Sequence, residues 1–224
     1  MNLDTNTFRD AVGHGVLIVK DDGTGTQNIK FNNNTIGVAA VANSGSLEGS
    51  TLKIQQVGDA AGTGTQNISI TNSQFHQYNN DAVLLQTGAG VVRDGNFNAT
   101  VTGNTVSDPG NNPSIALPVQ GVNLNGGVTP GDSFAICLQL GGAGALKNDL
   151  DSAQSPVNGG GDYRLRQRQS TTVRLPGYGG AATDTAAVVT FANGNNTVSG
   201  SGTATVNSPP GGGFVGGAAC PTPP

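Results

Sequence analysis

The sequence predicts an all-β chain folded as a right-handed parallel β-helix of about five coils, with one short helix near the C-terminus. Three observations carry this reading. An asparagine-rich strand–turn–strand unit recurs along the chain. A second strand type, with alternating apolar residues, runs between its copies. The composition suits many short strands joined by tight turns.

The repeat is explicit. Gly23-Thr-Gly-Thr-Gln-Asn28-Ile29 returns as Gly62-Thr-Gly-Thr-Gln-Asn67-Ile68, an offset of 39 residues (67 − 28). Asn28-Ile-Lys-Phe-Asn-Asn-Asn34-Thr-Ile36 then aligns with Asn67-Ile-Ser-Ile-Thr-Asn-Ser73-Gln-Phe75 and with Asn98-Ala-Thr-Val-Thr-Gly-Asn104-Thr-Val106. Alternation at Ile29 and Phe31 points one strand face inward. Asn33, Asn72 and Gly103 fall where a turn needs positive φ, which Asn and Gly tolerate best. Ile36, Phe75 and Val106 return inward, and Asn34, Ser73 and Asn104 are expected to stack as a polar ladder.

The second strand type is Thr51–Gln55, Ala82–Gln86 and Ala135–Gln139, with Gly15–Val19 and Asp162–Arg166 as looser matches. Its expected inward pairs are Val16/Ile18, Leu52/Ile54, Val83/Leu85, Ile136/Leu138 and Tyr163/Leu165. Two strand types at a period of 30 to 40 residues describe coils that stack because none buries its apolar face alone.

Composition excludes the alternatives. Of 224 residues 36 are Gly, and each Gly inside a helix costs about 1 kcal/mol. A net charge of −4 with 35% apolar residues argues against disorder. Lys and Arg are too few and too scattered for a nucleic-acid surface. No apolar run approaches the roughly 18 residues of a membrane span. No secretory leader follows Met1, and Asn2 reads as the middle of a pattern, so an N-terminal truncation is expected.

Coils are expected over residues 1–178, with a long loop at 107–133, and a C-terminal cap and tail over 179–224. Pro109, Pro113, Pro118 and Pro130 mark the loop, and Ile115, Leu117, Val119, Val122 and Leu124 give it apolar anchors. A second loop is expected from Gly141 to Gly161. Thr183-Asp184 is placed to cap a helix over Ala186–Ala192, ended near Gly194. The stretch from Ser199 to Pro224 has Phe214 and Val215 as its large apolar anchors.

The asparagine-rich unit resembles the parallel β-helix repeat of the pectate-lyase-like superfamily over roughly residues 6–175. The segments Arg164–Arg168, Thr171–Tyr178, Ala187–Phe191 and Gly213–Pro221 are similar to the C-terminal end of large exported bacterial β-helix surface proteins. That likeness implies a secreted or cell-surface location and a natural C-terminus. The fold hosts lyases, hydrolases, adhesins and inert stalks, so it leaves function open.

Several constellations are candidates for chemistry. Cys137 aligns with the outward positions Leu17, Lys53, Leu84 and Arg164. A Cys137–Cys220 disulfide is expected to pin the tail outside the solenoid, with Phe214 and Val215 over Leu84, against the alternative of two free thiols. Arg164, Arg166 and Arg168 project from one strand face, either as a stripe for an anionic ligand or as charges blunting an exposed strand. Asp149 and Asp151 are a Ca²⁺ candidate together with loop carbonyls, against the alternative of solvated loop acids. The other acids, Asp59, Asp81, Asp94, Asp108, Asp132 and Asp162, read as solvated loop residues. Gly13-His14-Gly15 with Asp21-Asp22 resembles polygalacturonase residues, but the order is reversed and no Arg-x-Lys follows. His76 is isolated. The Thr24/Thr26 and Thr63/Thr65 pairs are too few for an ice-binding ladder.

No catalytic residue is assigned. The leading expectation is a non-enzymatic structural or adhesive module with polysaccharide or another surface protein as partner. The alternatives are a polysaccharide lyase or hydrolase, and a filament subunit that self-associates through its open first coil around Phe8 and Val16.

Overall fold

The computed structural model describes residues 1–112, 118–152, 160–200, 202–207 and 212–224. They form a right-handed parallel β-helix with three all-parallel sheets along its sides. The first coil is β1 (Asn2–Asp4), β2 (Thr7–Phe8) and β3 (Val16–Lys20). The second is β4 (Thr26–Asn32), β5 (Thr35–Ile36) and β6 (Leu52–Gln56). Next come β7 (Thr65–Thr71), β8 (Gln74–Phe75) and β9 (Asp81–Thr87), then β10 (Asn96–Thr102), β11 (Thr105–Val106) and β12 (Val119–Gly126). The fifth coil is β13 (Ala135–Leu140), β14 (Asp149–Leu150) and β15 (Gly160–Arg168). The sixth has β16 (Thr172–Arg174), helix α1 (Thr185–Gly194), β17 (Thr197–Val198) and β18 (Gly202–Asn207), and β19 (Gly213–Val215) follows.

Sheet 1 runs β1-β4-β7-β10-β13-β16-β19, sheet 2 runs β2-β5-β8-β11-β14-β17, and sheet 3 runs β3-β6-β9-β12-β15-β18. The chain thus completes six coils rather than five. Residues 179–224 carry the last strands of all three sheets as well as the helix and tail.

Inward stacks fill the core. Ile29, Ile68, Ala99 and Leu138 align through sheet 1, as do Phe31, Ile70, Val101 and Leu140. In sheet 2, Phe8, Ile36, Phe75, Val106, Leu150 and Val198 align. The rings of Phe8, Phe31 and Phe75 stack in series at 6.2 and 6.0 Å. In sheet 3 the inward pairs are Val16/Ile18, Leu52/Ile54, Val83/Leu85, Val122/Leu124 and Tyr163/Leu165.

The 107–133 segment departs from expectation. It contains β12, an eight-residue strand between β9 and β15. The prolines bracket this strand instead of interrupting it, and Val122 and Leu124 alternate inward as the period requires. Ile115 and Leu117 lie outside the described residues. Ala135–Gln139 therefore belongs to sheet 1, not to the second strand type: Ile136 aligns with Phe97, and Leu138 with Ala99. The 141–161 segment likewise includes β14. The stretch after Ser199 includes β18 and β19.

The corner between sheets 1 and 2 is held from inside. Asn33, Asn72 and Gly103 have φ of 55°, 52° and 68°. That kink leaves backbone N–H groups turned along the coil axis, and a buried amide or hydroxyl takes each one. Asn6 N–H donates to Asn34 Oδ1, Asn34 N–H to Ser73 Oγ, Ser73 N–H to Asn104 Oδ1, and Asn104 N–H to Asn148 Oδ1. Asn148 Nδ2 donates to Asn196 Oδ1 at 2.8 Å and to the Val101 carbonyl at 2.9 Å. Asn34, Ser73, Asn104, Asn148 and Asn196 are all buried.

Helix α1 begins as the sequence predicts: the Asp184 carboxylate accepts from Ala187 N–H at 2.9 Å. Its Val188 and Ala192 join the core. Tyr163, inward on β15, donates its hydroxyl to the Val189 carbonyl and to Asn193 Oδ1. The facing sixth-coil residues are small, Gly202 and Ala204, and a Cβ at position 202 would enter the Tyr163 ring. The helix thus fills the C-terminal end of the core.

Replacing Asn148 by Leu would strip the acceptor from Asn104 N–H and both donors from its neighbours. The loss expected is about 3 kcal/mol, since each orphaned buried group costs about 1–3 kcal/mol. Urea unfolding of the Asn148→Leu variant checks this, and a loss below about 1 kcal/mol would show the ladder to be dispensable.

Candidate functional site

Two outer faces bring together the residues singled out in the sequence. On sheet 1, Asn28, Asn67, Asn98, Cys137, Arg174 and Val215 form one outward row. The three asparagines are linked amide to amide, at 3.0 and 2.9 Å. Cys137 keeps its expected outward direction but occupies this row, not that of Leu17, Lys53, Leu84 and Arg164. Its disulfide to Cys220 is present, with Cα atoms 5.5 Å apart. Arg174 Nε donates to Cys137 Sγ at 3.3 Å.

The tail runs differently from expectation. Phe214 is fully buried and aligns with Val173 inside sheet 1, and Val215 follows Arg174; neither lies over Leu84. After β19 the chain turns back outside sheet 1. Cys220 reaches the fifth coil, and Pro223 borders Asn2, Lys30 and Ser69 on the first three. The row above it is built of small polar groups, which leaves a shelf for an extended segment.

The second face is the outside of sheet 3. One outward row is Leu17, Lys53, Leu84, Asn123, Arg164 and Thr203, and the next is Val19, Gln55, Gln86, Asn125, Arg166 and Thr205. Arg168 stands opposite Asn207. Residues two apart on a strand share a face about 7 Å apart, so the three arginines form a line beside a row of amides, Gln55, Gln86 and Asn125. All three are half-buried. Burial, then repulsion from Arg168 and Arg164, pulls Arg166 below the usual guanidinium range; burial and Arg164 do the same to Arg168. Among the described residues the ion pair found is Arg9 with Asp10, far from this stripe in sequence.

One acid does reach the stripe. Asn123 Nδ2 donates to Asp81 Oδ1 at 3.0 Å, and Arg164 Nε donates to Asn123 Oδ1 at 3.3 Å. Asp81 is buried, and burial pushes its carboxyl up to about 6 against the lowering influence of Asn123, Arg164, the Ser50 side chain and Lys53. The sequence offered no signal for this chain, because Asn123 lies on the strand taken for loop.

Most other acids serve the backbone. Asp59 accepts from the N–H groups of Ala61, Thr63 and Gly64. Its burial works to raise the carboxyl, but those donors outweigh it and hold it below the usual value. Asp132 accepts from Thr129 and Arg93 N–H groups, and Asp162 from Ser152 and Gly200 N–H groups. Asp108 accepts from Ala40 N–H and Gln77 Nε2. Asp108 and Asp151 line an open groove of about 550 Å³ with Gln77 and Ser107. Asp149 and Asp151 flank inward Leu150, so both face outward. No group of three or more His, Cys, Asp or Glu side chains converges among the described residues.

His14 Nδ1 accepts from Ser50 N–H at 3.0 Å, and burial followed by Lys53 holds the ring below the usual histidine value. His76 meets Ser107 Oγ at 3.2 Å and is lowered chiefly by burial. Asp21 and Asp22 are exposed. Thr26 and Thr65 align, but Asn96 follows them, so the threonine row ends after two coils.

These features define a three-sheet right-handed parallel β-helix with a disulfide-held C-terminal strap. The chain matches no protein-family model, no curated protein and no solved structure.

Unreduced protein is expected to take up no alkylating agent, as mass spectrometry would show. The Cys137→Ser/Cys220→Ser pair is expected to lose about 4 kcal/mol of stability, because the bridge closes a loop with a separation of 83 residues. Unchanged denaturation midpoints would refute a structural role for the bridge.

Proposed function

We propose that this β-helix is a non-catalytic adhesive module of an exported surface protein, and that it binds an acidic polysaccharide along the outer face of sheet 3. The observation that carries this is the position of β15. It is not an edge strand, since β12 pairs with one side and β18 with the other. Arginines are therefore not needed there to blunt an open edge. They remain as three half-buried cations in line, flanked by the partly exposed side chains of Asn125, Gln55 and Gln86, whose amide groups suit sugar hydroxyls. Guanidinium groups match carboxylate and sulfate geometry and lose little hydration on pairing.

The disulfide fits an oxidising compartment. No helix among the described residues is long and apolar enough to cross a membrane. Asp59, Asp108, Asp132 and Asp162 are engaged with backbone N–H groups, which favours a holding role over turnover at those acids.

Surface plasmon resonance on immobilised polygalacturonate or heparin tests the reading. Wild-type binding should weaken steeply between about 50 and 500 mM salt as the charges are screened. The Arg166→Ala/Arg168→Ala variant should bind about tenfold more weakly or worse, one 1.4 kcal/mol step or more. Equal binding by the variant would overturn the arginine face. Release of new reducing or unsaturated ends would establish an enzyme instead.

A further inference from the structure

Asp81 is the one buried acid whose side chain leads to the cationic stripe and not to a loop. It opens β9, Asn123 stands on β12, and Arg164 on β15, so the links come from three successive coils. Asn123 is oriented by the pair: its amide nitrogen faces the carboxylate and its oxygen faces the guanidinium. On the other side of β9, Lys53 of β6 also attracts the carboxylate. His14, below Lys53, is engaged by Ser50 N–H.

We propose that Asp81 makes this face pH-responsive: ionised, it offsets Arg164 through Asn123, and on protonation it leaves the stripe uncompensated, so that polyanion binding strengthens on acidification. The inference rests on the anionic-ligand reading of sheet 3. Burial keeps the proton on Asp81 up to about pH 6, where ordinary surface carboxylates, near 4, are still ionised. Above that value Asp81 is anionic and repels a bound polyanion. Below it the carboxyl is neutral and Arg164 and Lys53 act at full strength. By linkage, a polyanion on the stripe must in turn favour protonated Asp81. His14 also gains charge on acidification, but burial and Lys53 move its titration to lower pH, and Asp81→Asn separates the two.

The test uses the whole chain with a sulfated polysaccharide such as dextran sulfate, whose groups stay ionised throughout. Wild-type protein should bind about threefold to tenfold more tightly at a pH about one unit below the Asp81 midpoint than well above it. Asp81→Asn should bind with the tighter affinity across that range. Full pH dependence in Asp81→Asn would overturn the coupling while leaving the arginine face intact. No binding at any pH, or binding indifferent to Arg166→Ala/Arg168→Ala, would instead overturn the face itself. Should Asp81→Asn fail to fold, carboxyl-carbon NMR of the wild type reads the same linkage. The Asp81 midpoint should rise on adding dextran sulfate, and an unmoved midpoint refutes the proposal.

Discussion

The fold depends on one buried hydrogen-bond column at the corner between sheets 1 and 2. A parallel coil must turn sharply there, and residues such as Asn33 and Asn72 accept positive φ to do so. The turn aims a backbone N–H into the core, where no water can satisfy it. The next coil supplies an oxygen at the same height, from Asn34, Ser73, Asn104 or Asn148. The amide nitrogen of an asparagine then returns a bond to a carbonyl of the coil before, as Asn104 Nδ2 does to the Ile70 carbonyl. Each coil is thus specified in height and register by its neighbour. The apolar stacks follow from that register, because a one-residue slip would turn Ile68 and Ile70 outward.

With that corner fixed, the segments between sheets 2 and 3 and between sheets 3 and 1 are free to vary in length, and acids tie several of them. Asp108 reaches back to the loop at Ala40, Asp132 to Arg93, and Asp162 forward to Gly200. A carboxylate is an acceptor with several lone pairs, so it satisfies loop N–H groups that no strand neighbour reaches. Among the described residues, Asp59, Asp108, Asp132 and Asp162 thus go to backbone donors, and the ion pair found is Arg9 with Asp10. Asp81 departs from the pattern, since its partner is a side-chain amide that leads to Arg164.

Much of this was legible in the sequence, and what was missed has a physical cause. The strand type, the positive-φ turns, the helix cap at Asp184 and the pairing of Cys137 with Cys220 were read correctly. The coil count was not, because the apolar strand pattern weakens where Gly202 and Ala204 make room for the helix. The ladder itself is the better signal. Asn6-Thr-Phe, Asn34-Thr-Ile, Ser73-Gln-Phe, Asn104-Thr-Val, Asn148-Asp-Leu and Asn196-Thr-Val mark all six coils. Strand β12 was hidden because its flanking prolines dominate local propensity, whereas its place is set by pairing on both sides. The Asp81–Asn123–Arg164 chain lay beyond reach for the same reason: its members are over 40 positions apart and meet only once β12 is placed.

The two ends of the rod differ, and that bears on what it can join. At the C-terminal end α1 fills the core, small residues make space for it, and the strap from Gly216 to Pro224 is held by the disulfide. At the first coil, β1, β2 and β3 each have a neighbour on one side only, and Leu3, Phe8 and Val16 are only partly covered. A rod that adds copies end to end needs two complementary open ends. At the last coil the core is filled by Val188 and Ala192 of α1. Of the rod's sides, sheet 1 carries the strap and sheet 3 carries the arginines. The charge that a solenoid of this composition can spare is therefore concentrated where a long ligand could lie across several coils at once.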